Sequence, residues 1–235
     1  MVDAVALRTR LAGVRERIAR AAARVGRDPS SVRLVAVSKT FDAEHVRAAA
    51  DEGQIDFGEN KVQDALEKIE GTADLSLRWH LIGHLQSNKA RKAGARFDTI
   101  HSLDGAALGT RLEQAALDAN RRLEVLVQVD LAGEPTKHGA QEDELLPIFE
   151  AGRGWRACRL AGLMILPPAV DDPDEVRPYF RALKSVRDHL LERGIERSML
   201  TELSMGMSHD FDIAVEEGAT LVRVGTAIFG DRSVM

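Results

Sequence analysis

The strongest constraint on the fold is an alternation of short β-branched runs with longer stretches of helical periodicity. This alternation is typical of parallel βα units, because a crossover between two parallel strands usually contains a helix. Eight such runs, with helices between them, favour a closed (β/α)8 barrel of the TIM type over an open α/β sheet. The predicted strands are 33–38, 54–58, 78–83, 97–102, 123–130, 159–166, 200–204 and 219–225.

An amphipathic pattern over residues 6–25 precedes the first strand and predicts an extra N-terminal helix. Only ten residues follow Gly225, too few for a full closing helix, so we expect the N-terminal helix to cover the last gap in the outer layer. No internal repeat, low-complexity run or Pro/Gly/Ser linker divides the chain. We therefore expect one domain over residues 1–235.

Composition excludes several classes of function. Lys plus Arg number 32 against 37 Asp plus Glu, a net charge of −5, and the basic residues are scattered, so neither a nucleic-acid nor a membrane footprint is predicted. Cys158 is the only cysteine, which excludes an internal disulfide and a thiolate metal cluster. The N-terminal segment lacks the apolar core of a signal peptide, so a cytoplasmic location is expected.

The loops after the last two predicted strands suit an anion. In a barrel of this type, chemistry occurs at the carboxyl ends of the strands, and phosphate is commonly held by the loops after strands seven and eight. Ser204, Gly206 and Ser208 follow strand seven, whereas Gly225 and Thr226 open a helical turn after strand eight. An alternative for Ser208 is to cap the helix DFDIAVEE, and Gly225 could simply turn the chain.

Lys39 and Arg223 are the candidate reactive and recognition groups. Lys39 follows the first strand, where partial desolvation or a nearby cation would favour the neutral amine that attacks an aldehyde. Arg223 interrupts an apolar strand and is predicted by alternation to point into the barrel mouth. An alternative for Arg223 is a structural ion pair with a barrel carboxylate such as Glu202. An amine facing an anion cradle suggests a pyridoxal phosphate (PLP) site.

A series of motifs over nearly the whole length resembles the pyridoxal phosphate homeostasis protein family, which is related to the barrel domain of fold-type III enzymes such as alanine racemase. The motifs are VAVSKT (35–40), FGENKVQD (57–64), WHLIGHLQSNK (79–89), HSLD (101–104), QVDLAGEPTKHG (128–139), GLMILPP (162–168), LSMGMSHDFDIAVEEGAT (203–220) and VRVGTAIFG (222–230). The chain departs from the usual family motifs at two positions. Lys61 stands where the family more often has an aromatic residue, and Asp130 stands where it more often has asparagine.

The resemblance implies a PLP barrel without the additional C-terminal β domain of the enzymes. Lys39 would carry the internal aldimine, Asn60 would lie near the ring and Arg223 would face the pyridine nitrogen. The phosphate would be held by Ser204, Gly206, Ser208, Gly225 and Thr226.

Three further motif residues have simpler interpretations. Asn60 could instead cap the helix KVQDALEKIE. His80 and His84 flank the end of the third strand, but their spacing suits a helix face, so we interpret them as structural or pocket-lining and predict no metal site.

The predicted function is a carrier or buffer for PLP. An arginine cannot accept a hydrogen bond, so the ring nitrogen would stay unprotonated and the cofactor would be a poor electron sink. The sole tyrosine, Tyr179, lies in a helical stretch where packing is the expected role. We expect a monomer that supplies apo PLP-dependent enzymes, with Lys137 as a candidate way station. The alternatives are a weak racemase or decarboxylase on Lys39, and a barrel enzyme acting on a sugar phosphate.

Overall fold

The computed structural model describes residues 2–131, 133, 138–170 and 172–230. Eight parallel strands close into one barrel, in which each strand pairs with its neighbours in sequence and β8 pairs with β1. The predicted (β/α)8 barrel is confirmed. Its strands are β1 (Arg33–Val37), β2 (Asp56–Glu59), β3 (Arg78–Leu81), β4 (Thr99–Leu103), β5 (Leu123–Gln128), β6 (Cys158–Met164), β7 (Glu202–Ser204) and β8 (Leu221–Val224).

Helices pack on the outside of the barrel between the strands. Several begin with a side-chain cap, such as the reciprocal pair formed by Gln141 and Glu144 at the start of α6. The helices are α1 (Ala4–Arg24), α2 (Ala43–Asp51), α3 (Val62–Gly71), α4 (Ala90–Gly94), α5 (Ala106–Asp118), α6 (Glu142–Gly152), α7 (Arg177–Glu192), α8 (Phe211–Glu216) and α9 (Thr226–Phe229).

The N-terminal helix covers the seam where the barrel closes. Its buried residues Leu7, Leu11, Val14 and Ile18 recur at helical spacing and form one apolar face. This helix packs against α2, α8 and α9, as the short final helix led us to expect.

Alternation along the strands divides the apolar core into two layers. Outward-facing residues such as Phe57 and Val222 pack under the helices in one large cluster. Inside the barrel a much smaller cluster is formed by Val35, Leu126, Met164 and Leu221. The rest of the interior is polar, which matters for the site above it.

Four predicted strands, β2, β4, β7 and β8, begin two residues later than the sequence pattern indicates, and for two of them the structure shows the reason. β2 begins at Asp56, because the side chain of Gln54 turns inward and donates to the backbone oxygens of Leu34 and Asp56. β7 begins at Glu202, since residues 197–199 form a 3-10 turn that runs up to the strand.

Within the described residues, the longest apolar helical stretch falls short of what a membrane span requires.

Candidate functional site

A cavity of about 410 Å³ opens at the carboxyl ends of the strands. We call it the mouth cavity. Six of the predicted site residues contribute to its wall, drawn from the loops after β1, β2, β7 and β8. The wall comprises Val37, Lys39, Asn60, Ile82, Gly83, Leu166, Met207, Ser208, His209, Arg223, Gly225 and Thr226.

Lys39 reaches the mouth cavity from the end of β1 and is exposed to solvent. The residue before it is anchored. Ser38 is fully buried, its hydroxyl donates to a Glu59 oxygen at 2.7 Å, and its carbonyl accepts from the ammonium of Lys68 at 2.8 Å. Thr40, directly after the lysine, has φ 74°, so the chain turns sharply there. The exposed amine of Lys39 therefore follows directly after an anchored residue.

The anchor of Ser38 is a buried ion pair that sequence reasoning missed. Lys68 on α3 lies 2.5 Å from a Glu59 carboxylate oxygen, and both side chains are almost wholly shielded from water. Burial raises the pKa of Glu59, against the hydrogen bonds from Lys68 and Ser38 that lower it. The other oxygen of this carboxylate has no hydrogen-bond partner among the described residues. Such a pair fixes local geometry more than it stabilises the fold.

The loops after β2 and β3 touch behind Asn60. A methyl group on Gly83 would lie 2.3 Å from the Asn60 carbonyl oxygen, so only glycine permits this approach. The helix that follows Asn60 begins at Val62, and its N-cap is Lys61 without a side-chain hydrogen bond. The capping interpretation of Asn60 was therefore wrong, and its side chain is free to face the mouth cavity.

The loop after β7 is held by a second buried carboxylate. Asp210 accepts a hydrogen bond from the backbone N–H of Met207, and burial raises the pKa of Asp210. Gly206 has φ 92°, and a methyl group there would lie 2.5 Å from Ala214. Glycine is required for the turn, and Gly206 itself is not part of the cavity wall.

Ser208 joins the loops after β7 and β8. Its hydroxyl oxygen accepts from the backbone N–H groups of Gly225 at 3.2 Å and Ala227 at 3.4 Å. The helix downstream begins at Phe211 with Asp210 in the N-cap position, so the capping interpretation of Ser208 was wrong. Ser208, Gly225 and Thr226 therefore form one polar corner of the mouth cavity, and anion binding there stays a prediction.

Arg223 forms the floor of the mouth cavity and is 3% exposed. Its guanidinium donates to the hydroxyl of Ser204 at 2.6 Å and to the Ile165 carbonyl at 2.8 Å. The proposed alternative pairing with Glu202 was wrong, because Glu202 pairs with Arg33. Burial lowers the pKa of Arg223 to about 10, so the guanidinium stays charged at neutral pH.

Ser204 lies below the mouth cavity, in the barrel interior. It is fully buried, and its hydroxyl also contacts Nδ1 of His101 at 2.8 Å. His101 in turn contacts His80, which contacts Asp56. The hydroxyl of Ser204 is thus engaged away from the polar corner, and a phosphate contact by Ser204 stays a prediction. His80 therefore has a structural role and does not line the mouth cavity, which agrees with the first of our two interpretations, structural or pocket-lining.

His84, Asp104 and His138 form the one cluster of three potential metal ligands among the described residues. The rings of His84 and His138 stack with centroids 3.6 Å apart and planes 14° from parallel. Nitrogen lone pairs lie in the ring planes, so in this stack they run side by side and do not converge on one ion. The arrangement agrees with our prediction of no metal site, without testing it.

Four other residues complete the description of the site. Tyr179 on α7 packs against the outer core, as expected. The carboxylate of Asp130 accepts from the backbone of Gly133 and the side chain of Gln141, so it shapes the loop after β5. Lys137 lies outside the described residues. His209, which lines the mouth cavity, was missed although it lies within the motif after β7.

Comparison with known proteins matches residues 10–233 to the family described as alanine racemase, N-terminal domain. The pyridoxal phosphate homeostasis protein of Aquifex aeolicus is 42% identical over 223 residues, 95% of this chain and 97% of that protein. Its namesake from Escherichia coli K12 is 38% identical over 234 residues, 94% of this chain and 95% of that protein. PipY of Synechococcus elongatus, solved with PLP bound, is 39% identical with a TM-score of 0.84, and the match covers 95% of this chain and 100% of PipY. Alanine racemase from Corynebacterium glutamicum shares the fold, at 16% identity and a TM-score of 0.73 over 100% of this chain and 64% of the racemase.

Proposed function

Because this chain belongs to the family of pyridoxal phosphate homeostasis proteins, we propose that its mouth cavity binds PLP as a Schiff base on Lys39. The observation that carries the proposal is the convergence of three unlike groups on one cavity. The exposed amine of Lys39 follows β1, and the guanidinium of Arg223 lies on the floor of the cavity. The polar corner is formed by Ser208, Gly225 and Thr226. PLP presents an aldehyde, a ring nitrogen and a phosphate, one for each group.

The chemistry of the residues on the cavity wall matches the groups of the cofactor. Ser208 and Thr226 offer their hydroxyl groups to the phosphate, and Gly225, whose N–H donates to Ser208, holds the two loops together beside it. Arg223 offers the remaining N–H groups of its charged guanidinium to the ring nitrogen. Asn60 also lies on the wall of the mouth cavity, where its amide can contact a ring substituent.

We propose that the protein holds and delivers PLP without substantial catalysis of its own. Arg223 can only donate hydrogen bonds, so it disfavours protonation of the ring nitrogen and weakens the cofactor as an electron sink. Tyr179 packs against the outer core on α7, on the opposite side of the strand layer from the mouth cavity. The exposure of Lys39 leaves the bound cofactor reachable by small amines. We further propose a cytoplasmic monomer, with apo PLP-dependent enzymes as recipients.

A weak amino-acid racemase or decarboxylase is the second candidate. One observation favours it. His209 lines the mouth cavity on an exposed loop, and an imidazole in that position could exchange a proton with a bound amino acid.

The binding proposal is tested by the visible spectrum of the purified protein before and after borohydride. We expect a yellow protein in which reduction fixes the cofactor on Lys39, since a secondary amine does not hydrolyse as an imine does. Lys39→Ala should be colourless. Lys61→Ala, which removes a neighbouring exposed lysine, should stay yellow and is the matched control. A reduced adduct on another lysine would contradict the assignment, and a colourless wild type would favour the sugar-phosphate alternative.

The carrier proposal is tested by mixing the loaded protein with an apo PLP enzyme, whose activity should return. Amino acids offered alone should show no racemisation or decarboxylation above free PLP. Turnover that Lys39→Ala and His209→Ala both abolish would establish the enzyme alternative instead.

A further inference from the structure

A continuous line of hydrogen bonds crosses the barrel interior from its amino end to the floor of the mouth cavity. We call it the interior chain, and its members are Asp56, His80, His101, Ser204 and Arg223. Successive contacts measure 2.9 Å from Asp56 Oδ1 to His80 Nε2, 2.9 Å from His80 Nδ1 to His101 Nε2, 2.8 Å from His101 Nδ1 to Ser204 Oγ and 2.6 Å from Ser204 Oγ to Arg223. All five residues are buried, at 4% exposure or less.

The chemistry at its two ends gives the interior chain a direction. Arg223 can only donate, so Ser204 Oγ accepts and its own hydrogen is available for His101 Nδ1. His101 then carries its proton on Nε2 and donates to His80 Nδ1. His80 likewise carries its proton on Nε2 and donates to Asp56. Every hydrogen points from the mouth cavity toward the amino end of the barrel, and each acceptor is used once.

The charges agree with this direction. Burial is the largest cause that holds the pKa of His101 well below its usual value, so the His101 ring is neutral. Burial alone would raise the pKa of Asp56, but hydrogen bonds from His80 and Arg78 outweigh this effect, so the pKa of Asp56 is lowered. Arg78 lies 2.6 Å from the second Asp56 oxygen. The carboxylate end of the interior chain is therefore charged and paired, and His101 in its middle is neutral.

Building on the proposed function, we propose that Asp56, His80, His101 and Ser204 are positioning residues for Arg223 that set its orientation toward the ring nitrogen of the bound cofactor. The Ile165 carbonyl fixes one terminal nitrogen of the guanidinium, and the interior chain fixes the other. With both anchored, the remaining N–H groups keep one direction and oppose protonation of the ring. A carboxylate at the amino end of the barrel thus acts on a cofactor at the carboxyl end.

The direction is measured without PLP. Nitrogen NMR of the ring-labelled, cofactor-free protein should show both His80 and His101 with the proton on Nε2. A proton on Nδ1 of His101 would reverse the direction and overturn the proposal. This measurement uses the wild type, so it does not depend on a variant that folds.

The effect on the cofactor is measured with Ser204→Ala and Asp56→Asn. Both should shift the visible absorption maximum of bound PLP, with the larger shift for Ser204→Ala, whose PLP dissociation constant should rise about tenfold. The matched control is Glu202→Gln, which alters a carboxylate at the same end of the barrel that is paired with Arg33 instead. Its spectrum should equal that of the wild type.

Wild-type spectra from both test variants, or an equal shift in the control, would overturn the proposal. A wild type that fails to bind PLP would overturn the proposed function instead, and the NMR result alone would then decide whether the interior chain orients Arg223.

Discussion

Polar side chains at the mouth of the barrel and in its interior have opposite environments. In the mouth cavity, the side chains of Lys39 and Asn60 make no hydrogen bond to another described residue, and both are exposed. A few ångströms below, the side chains of His80, His101 and Ser204 are fully buried and bonded on every side. The difference separates the groups that meet a ligand from the groups that hold those in place.

The largest expected effect is on the free energy of unfolding, when the cation of the buried Lys68–Glu59 ion pair is removed. Lys68→Met leaves the buried Glu59 carboxylate without its cation, and should lower the free energy of unfolding by about 3–5 kcal/mol. Urea unfolding measures this. Lys61→Met, on the exposed start of the same helix, should change stability by less than about 0.5 kcal/mol. Equal losses would show that the pair contributes no more than an exposed lysine.

The next largest effect is on PLP binding, and it should distinguish the role of Ser208 from that of Ser204. Ser208→Ala combined with Thr226→Val should weaken PLP binding by about 1.5–3 kcal/mol for each charge-assisted hydrogen bond lost, with little change for unphosphorylated pyridoxal. Ser204→Ala should weaken both ligands alike, since its hydroxyl serves Arg223 and not the polar corner. Titration calorimetry with the two ligands distinguishes the cases. Selective loss of PLP in Ser204→Ala would restore the phosphate role first predicted for Ser204.

A smaller effect is the pH dependence that the interior imposes. Burial holds the pKa of His101 in the folded protein well below the usual histidine value of 6.5, so below that pH the unfolded chain binds a proton that the folded chain does not. The unfolding free energy should therefore fall on acidification from pH 6.5, by at most about 1.4 kcal/mol per pH unit, and stay level above it.

Unfolding measured between pH 7 and 5.5 tests this pH effect. His101→Asn should remove most of the slope. His84→Asn, in the loop after β3, should reduce the slope much less, because the pKa of His84 is lowered by burial that is only partial. A slope that survives in His101→Asn would contradict the interior assignment.

The smallest expected effect is the labelling of the Cys158 thiol, at the amino end of β6, by a thiol reagent. Burial raises the pKa of this thiol to about 12, and only 4% of the residue is exposed. A thiol reagent should not label the native protein at neutral pH and should label it fully in urea. Labelling of the native state would mean that the amino end of the barrel opens more readily than the interior contacts imply.

The barrel and the outline of the mouth cavity were predictable because both depend on local patterns. Each strand is a short β-branched run, and its carboxyl end marks where a site residue such as Lys39 or Gly225 must lie. The start of β2 was misplaced because the inward turn of Gln54 depends on a tertiary contact with Leu34. Local pattern also misassigned the caps, since Ser208 precedes its helix by more than one residue.

The interior chain was not predicted because one of its contacts crosses the barrel between strands that are not neighbours. His101 on β4 meets Ser204 on β7, 103 residues later in the chain. One sequence signal was available. Asp56, His80, His101 and Arg223 all fall at inward positions of their strands by alternation, and a polar residue there requires a partner. Which partner it finds depends on strand register and tilt, which alternation does not give.

The helix that covers the closing seam has a consequence for synthesis on the ribosome. Leu7 and Leu11 leave the exit tunnel long before α8 and α9, on which α1 packs. Arg17 of α1 lies 4.2 Å from the centre of the Phe211 ring and pairs with Asp212. The nascent chain must therefore carry α1 without these partners until α8 and α9 are translated. We expect chains stopped before β8 to be recognised by chaperones or proteases through α1.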